Sequence, residues 1–254
     1  VLVGAPWEFA VAAAEPPLRR AMLADLGSIS YDALPAELVG PDGEEKLDKL
    51  FLLRVAPEPG GWQVAVRELD VRTRLFGRTF HRRTGHRAKL RDAALRAILE
   101  AFAPVGRIAR VDGEDDRRVA VRLKAAALPT RDERLRLVAP GEVFRPVFRY
   151  HDRDGNFRRA GVLPWTFLTL EETSEGRKTP GEVFCRLYSG LRSPLSARRR
   201  GRVEPLVLGA VPAGRSSTLK LHSRTDPERP LTGYDVFAHP PGVKTTTRLG
   251  RSDG

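Results

Sequence analysis

The chain has 254 residues, of which 41% are hydrophobic and 30% charged, with a formal net charge of +12. This is the balance of a water-soluble globular protein long enough for two or three modules, and no apolar run approaches the roughly 20 residues of a membrane helix. A single cysteine, Cys185, excludes an intramolecular disulfide and any zinc site built on clustered cysteines.

In chain order, the first 45 residues are punctuated by Pro16, Pro17, Pro35, Gly40, Pro41 and Gly43 around one short helical pattern. Leu18, Met22, Leu23 and Leu26 carry it, and it ends near Gly27. Residues 49–55 (KLFLLRV) form a nearly continuous apolar run, which predicts a strand buried on both faces. After a turn at 57–61, Trp62, Val64 and Val66 alternate and then give way to Leu69 and Val71. That change of phase predicts a second strand with a bulge near Arg67 and Glu68. Residues 75–84 read as its continuation or as a shorter strand. Leu90, Ala94, Leu95, Ile98, Leu99 and Phe102 then recur at helical spacing up to Pro104, predicting a helix that covers one face of the sheet.

Beyond Pro104 the texture changes. Residues 108–111 and 119–123 flank a turn at 112–116, and further short strands are expected at 135–138, 143–150, 162–170 and 183–188. Short strands with Gly- and Asp-rich punctuation indicate a small barrel or sandwich. Apolar content falls away over 193–202 (SPLSARRRGR), and residues 203–211, 217–223, 231–238 and 245–249 are again strand-like. The expected fold is α+β and mostly β. It comprises a small α/β domain over 1–104, a small β-barrel over 105–192 and an incomplete β-sandwich over 203–254.

Of the 44 basic residues 37 are arginine, and the basic excess falls after residue 66 without concentrating in one tail. Arginines spread over alternating strand positions ordinarily mark solvated faces, although a basic nucleic-acid or anionic-polymer-binding module is the alternative reading. The cluster Arg198, Arg199, Arg200 and Arg202 is the candidate anion-binding site, because guanidinium forks match phosphate or sulfate; without stacking aromatics nearby it reads mainly as an exposed linker. His81 and His86 are five apart among arginines, the wrong spacing and charge for a metal. Asp152, Asp154 and Asn156 resemble the opening of a calcium loop, but Gly155 stands at the fourth position and a turn between strands fits better. Trp165, alternating with Phe167 and Thr169, is expected to pack in a core, and Cys185 to be a small core residue. The acidic pairs Asp115 with Asp116 and Glu171 with Glu172 read as solvated turn or strand-end carboxylates. Phosphate-binding loops, nucleophile elbows and dinucleotide fingerprints are absent, so neither a catalytic residue nor a cofactor is assigned.

Residues 49–55, the phrase VRELD at 66–70, the arginine-rich segment after it and the helix ending EAFAP at 100–104 resemble the anticodon-binding-like α/β domain. That domain stands at the amino end of TolB and of related curli and flagellar envelope-assembly proteins. The segment PLTGYDVFA at 230–238, followed by Thr245, Thr246, Thr247 and the turn Ser252-Asp253-Gly254, is similar to the carboxypeptidase regulatory-like domain, a prealbumin-like sandwich. Tyr234 stands where that family has a small residue. These resemblances imply a modular bacterial envelope or secreted protein and no catalytic residues. The chain starts without Met and stops in a turn-like sequence, and so reads as a fragment. The expectation is a non-catalytic interaction module, periplasmic or extracellular, binding a protein or cell-surface polymer through sheet edges and loops. An accessory region of a hydrolase is a further alternative.

Overall fold

Alternation along one strand, Gly61–Asp70, explains the first layer of the structure. The computed structural model describes residues 10–40, 46–112, 117–124, 138–171, 181–191, 194–195, 202–211, 219–223, 225–238 and 245–253. Strands β1 (Lys49–Glu58), β2 (Gly61–Asp70) and β3 (Leu75–Thr84) form an antiparallel sheet in that order. Odd-numbered β2 residues Ala65 and Leu69 face the helix α1 (Pro16–Ala24), the short turns after it and α2 (Ala36–Val39), packing with Leu18, Met22 and Leu26. Even-numbered Val64 and Val66 face α3 (Leu90–Ala101). Both faces of the sheet are covered, Leu50 and Leu52 packing on one side and Phe51 and Leu53 on the other, but β1 is mostly half-buried rather than buried throughout, with Val55 37% exposed.

Two details of the sequence reading change here. The apparent phase shift in β2 is not a bulge in that strand, because its register with β1 is continuous from Gly61 to Asp70. The irregularity lies in the ladder with β3, where Gly77 and Arg78 together stand opposite Glu68. In α3 the fully buried positions are Ala93, Ala97 and Ala101, with Leu90, Ala94 and Ile98 flanking them. An alanine stripe lets the helix sit close to the sheet.

The chain next builds β4 (Val105–Val111), β5 (Arg118–Leu123), β6 (Val143–His151), β7 (Phe157–Val162), β8 (Thr166–Leu170), β9 (Glu182–Ser189) and β10 (Arg202–Gly209). Six of them close into an antiparallel barrel in the order β4-β5-β9-β8-β6-β10, with β10 pairing to both β6 and β4. β7 pairs with β6 outside the ring. Val119, Val121, Phe144, Leu168, Cys185 and Val207 fill the interior and are at most 0% exposed. A barrel of this size is filled by its own side chains. The outer side of β6, β4 and β10 is covered too: Val105, Val147, Leu206 and Leu208 pack with Ala103, and Leu75 of β3 lies against them.

The structure departs from the sequence reading at two barrel strands. Residues 203–211 were expected to open a third module, yet Arg202–Gly209 is the strand that closes the barrel. Its burial pattern, inward Val207 between outward Leu206 and Leu208, resembles that of any sandwich strand, so periodicity alone does not name its partner. Gly209 is required there because its N–H donates to Pro104 O at 2.8 Å, and a Cβ would lie 2.7 Å from Pro104 Cδ. Residues 162–170 are two strands rather than one. Pro164 has no N–H for a ladder, and Trp165 takes a left-handed conformation with φ +53°, so the chain turns between β7 and β8. The strand expected at 135–138 falls almost wholly outside the described residues.

The fold divides into two compact units, Val1–Val211 and Pro212–Gly254. In the second, β11 (Asp235–Ala238) pairs antiparallel with β12 (Thr247–Arg251), and an isolated bridge joins His222 to Pro230. Arg248 holds Asp235 at 2.6 Å, and Arg251 donates to Gly233 O at 2.9 Å. Among the described residues no helix is long and apolar enough to cross a membrane.

If β10 closes the barrel, Val207→Asp places an unpaired carboxylate in its interior and should lower the unfolding free energy by about 3 kcal/mol or more. Urea denaturation checks this, and an unchanged midpoint would put the strand elsewhere.

Candidate functional site

Two polar constructions stand out from this fold, one buried in the α/β layer and one spread over the barrel. The buried one starts at Lys49, whose side chain is 10% exposed. Its ammonium lies 2.5 Å from Glu68 Oε1 and 2.9 Å from Asp70 Oδ2, donates to Ala103 O at 2.5 Å, and sits 5.4 Å from the centre of the Phe102 ring. Glu68 Oε2 accepts from Ala103 N at 2.6 Å, and Asp70 Oδ1 accepts from Thr73 N at 2.7 Å. These carboxylates occupy the even-numbered face of β2, directly after Val64 and Val66. They tie the end of α3 to the sheet. Burial pushes the Glu68 carboxyl up to about 7, against the opposing pull of Lys49 and the Ala103 N–H.

That shift has a definite sign. Glu68 binds its proton more tightly folded than unfolded, so its contribution to stability is complete below about 4.5 and is lost as pH rises through about 7. Over that window the contribution amounts to about 3 kcal/mol. Glu68→Gln should flatten this part of the stability profile, measured by urea denaturation at a series of pH values; an unchanged slope would assign the titration to another group.

The second construction is the outer wall of β4, β5, β9 and β8. With Val119, Val121, Cys185, Leu187 and Leu168 pointing inward, alternation turns Arg118, Arg122, Phe184, Arg186, Tyr188 and Phe167 outward. Arg107 stands directly opposite Arg122, and Arg118 directly opposite Arg186. Phe184 is 3% exposed beneath two guanidinium groups, with Arg118 4.0 Å and Arg110 5.5 Å from its ring centre. Glu171 lies between two arginines, 3.4 Å from Arg118 and 3.2 Å from Arg186, while Arg110 pairs with the buried Glu182. The arginine stems thus cover apolar surface while their heads form a charged field.

One end of this wall is aromatic. Phe167 stacks on its cross-strand partner Tyr188 with ring centres 5.0 Å apart and an interplanar angle of 19°, and Phe167 is 42% exposed. Next along the same two strands, Gly190 N donates to Trp165 O at 2.9 Å, and Thr166 and Ser189 join hydroxyls at 2.7 Å. Trp165 itself is 78% exposed. The core position expected for it is therefore wrong: the row that Trp165 was read to share with Phe167 and Thr169 is the outer one, and Thr166, Leu168 and Leu170 are the buried residues of β8.

The other residues singled out in the sequence are placed more simply. Arg202 is exposed at the start of β10, while Arg198, Arg199 and Arg200 lie outside the described residues, as do Asp115, Asp116 and Glu172. Cys185 is fully buried in the barrel, and burial pushes its thiol up to about 12. His81 and His86 are exposed and separate. Asp152 caps the turn between β6 and β7, its Oδ1 accepting from Asp154 N at 3.0 Å and Asn156 N at 2.9 Å. Those bonds, that from Asn156 foremost, hold its carboxyl below the usual range. Among the described residues no three His, Cys, Asp or Glu side chains converge on a common point that would hold a metal ion.

A scan against protein-family models finds no match for the chain, and a search of curated proteins finds none either. The wall is accordingly read from its own chemistry.

A bulky residue in the left-handed region costs of order 1–3 kcal/mol, and Trp165 buries too little surface to offset it. Asparagine tolerates that conformation. Trp165→Asn should therefore raise the unfolding free energy by about 1 kcal/mol, read from thermal or urea denaturation, whereas a loss of stability would show Trp165 to be a packing residue.

Proposed function

We propose that this chain is a non-catalytic interaction module that holds an anionic partner on the outer wall of its barrel. The observation that carries the reading is the pair of like-charged cross-strand contacts, Arg107 with Arg122 and Arg118 with Arg186. Within the chain Glu171 already meets Arg118 and Arg186, and Arg122 stands opposite Glu182 on its other side, so these arginines lie in a field of mixed charge that is rich in guanidinium groups. An anionic partner would add to these contacts, the guanidinium forks donating to carboxylate or sulfate in two-point contacts.

The setting we propose is a larger periplasmic or secreted bacterial protein. The order of three strands and a helix across residues 49–101 supports likening that segment to the TolB amino-terminal domain. The ladder of β11 and β12 supports likening the second unit to a carboxypeptidase regulatory-like, prealbumin-like sandwich.

Titration with polyacrylate, a flexible polycarboxylate, tests the wall. Binding is expected at low ionic strength and should weaken steeply as salt is added. The double variant Arg107→Ala with Arg122→Ala should bind about tenfold more weakly while keeping its fold, as read by circular dichroism. Equal affinity in parent and variant, or no binding at low ionic strength, overturns the proposal.

A further inference from the structure

Two buried carboxylates share one ammonium at the end of α3. Glu68 and Asp70 are each 1% exposed, and Lys49 reaches both. With both acids ionised the cluster sets two negative charges against one positive, away from water. The C-terminal end of a helix carries partial negative charge of its own and disfavours a carboxylate beside it. One proton on Glu68 brings the cluster into balance. The other charged groups on the packed elements are engaged elsewhere: Arg82 pairs with Glu100 between β3 and α3, Arg78 lies over the Phe80 ring, Lys124 pairs with Asp48, and Arg72 with Glu204. His81 stands opposite Ala65, on the other face of the sheet.

What the cluster holds is the backbone at Ala103. Its N–H donates to Glu68 Oε2 at 2.6 Å and its C=O accepts from Lys49 at 2.5 Å, whereas the preceding residue, Phe102, still bonds within the helix through Ile98 O. Ala103 also packs with Val105, Val147, Leu206 and Leu208 on the apolar outer side of the barrel. One residue farther on, Gly209 N donates to Pro104 O, an anchor independent of the cluster. We infer that Lys49, Glu68 and Asp70 form a pH-gated latch on this seam, which clasps Ala103 in acid and releases it, with the apolar surface beneath, as the pH rises toward neutrality. Burial, and after it Asp70, pushes the Glu68 carboxyl up to about 7, against Lys49 and the Ala103 N–H. Release returns Glu68 to water. Each pH unit between its ordinary value and about 7 therefore favours the released form about tenfold, and above about 7 the gain levels off.

Hydrogen exchange of single amides tests the latch, followed by NMR on the whole chain at pH 5, 6 and 7 and divided by the intrinsic rate at each pH. The Ala103 amide is expected to exchange through a local opening, less protected than Val121 in the middle of the barrel and insensitive to low concentrations of urea. Its protection should fall about fortyfold from pH 5 to pH 7. Glu68→Gln should leave protection level across that range. Asp70→Asn keeps the ionisable Glu68 without its like-charged neighbour and should shrink the fall. Should Glu68→Gln not fold, the Asp70→Asn comparison decides alone. Protection at Ala103 that does not change with pH, or that falls as steeply in either variant as in the parent, overturns the latch. So does an Ala103 amide as protected as Val121 and equally dependent on urea, because the pH response then belongs to unfolding as a whole.

Discussion

The buried ammonium of Lys49 is the point through which the α/β layer and the barrel are joined. It lies between two carboxylates on one strand and a backbone carbonyl at the end of α3. Ala103 is held at both its N–H and its C=O, and the next residues are Pro104 and the first strand of the barrel. A charged group this deep costs stability unless its partners are all in place, and removing one partner leaves the others uncompensated. The geometry therefore dictates where α3 stops and in which direction β4 sets out. Further contacts reinforce the seam: Arg72 pairs with Glu204 at 2.5 Å, and Arg74 lies 3.7 Å from the centre of the Phe157 ring.

The barrel has two unlike outer sides as a result. One is occupied by Leu75 and Ala103 packing on β4, β6 and β10, and is apolar. The other bears arginines whose stems shelter Phe184 and whose heads face outward. The Glu171 carboxylate, shared between Arg118 and Arg186, holds those two side chains at neighbouring positions. It limits their repulsion without cancelling the positive excess of the wall, which among the described residues also includes Arg107 and Arg122.

Much of the architecture was legible because burial writes a period into the chain. The strands over 49–58 and 61–70, the helix ending before Pro104 and the antiparallel pair of β4 and β5 follow from alternation, helical spacing and turn residues. What was not legible depends on pairing rather than period. The sequence of β2 looked like a strand with a kink because Glu68 and Asp70 interrupt an apolar face that is in fact unbroken; their partner Lys49 is nineteen residues away from Glu68 and unremarkable on its own. Likewise β10 has the alternation of any core strand, and only its partners reveal the barrel. The arginine wall was hidden for the same reason. Scattered arginines read as solvated faces until register sets Arg107 against Arg122 and Arg118 against Arg186. Trp165 was misplaced because the row 165, 167 and 169 was taken to face the core, whereas the other row of β8, Leu168 and Leu170, fills the barrel.

The closing of the barrel by its last strand also bears on how the chain reaches its fold. As it is synthesised, β4 and β6 are complete long before Arg202–Gly209 exists, and each then has an edge of open N–H and C=O groups. Pairing of β10 with β4 joins segments about a hundred residues apart, and such non-local closure is slow. Through that interval the nascent barrel is an open sheet able to pair with other chains, and the arrival of β10 seals both edges in a single event.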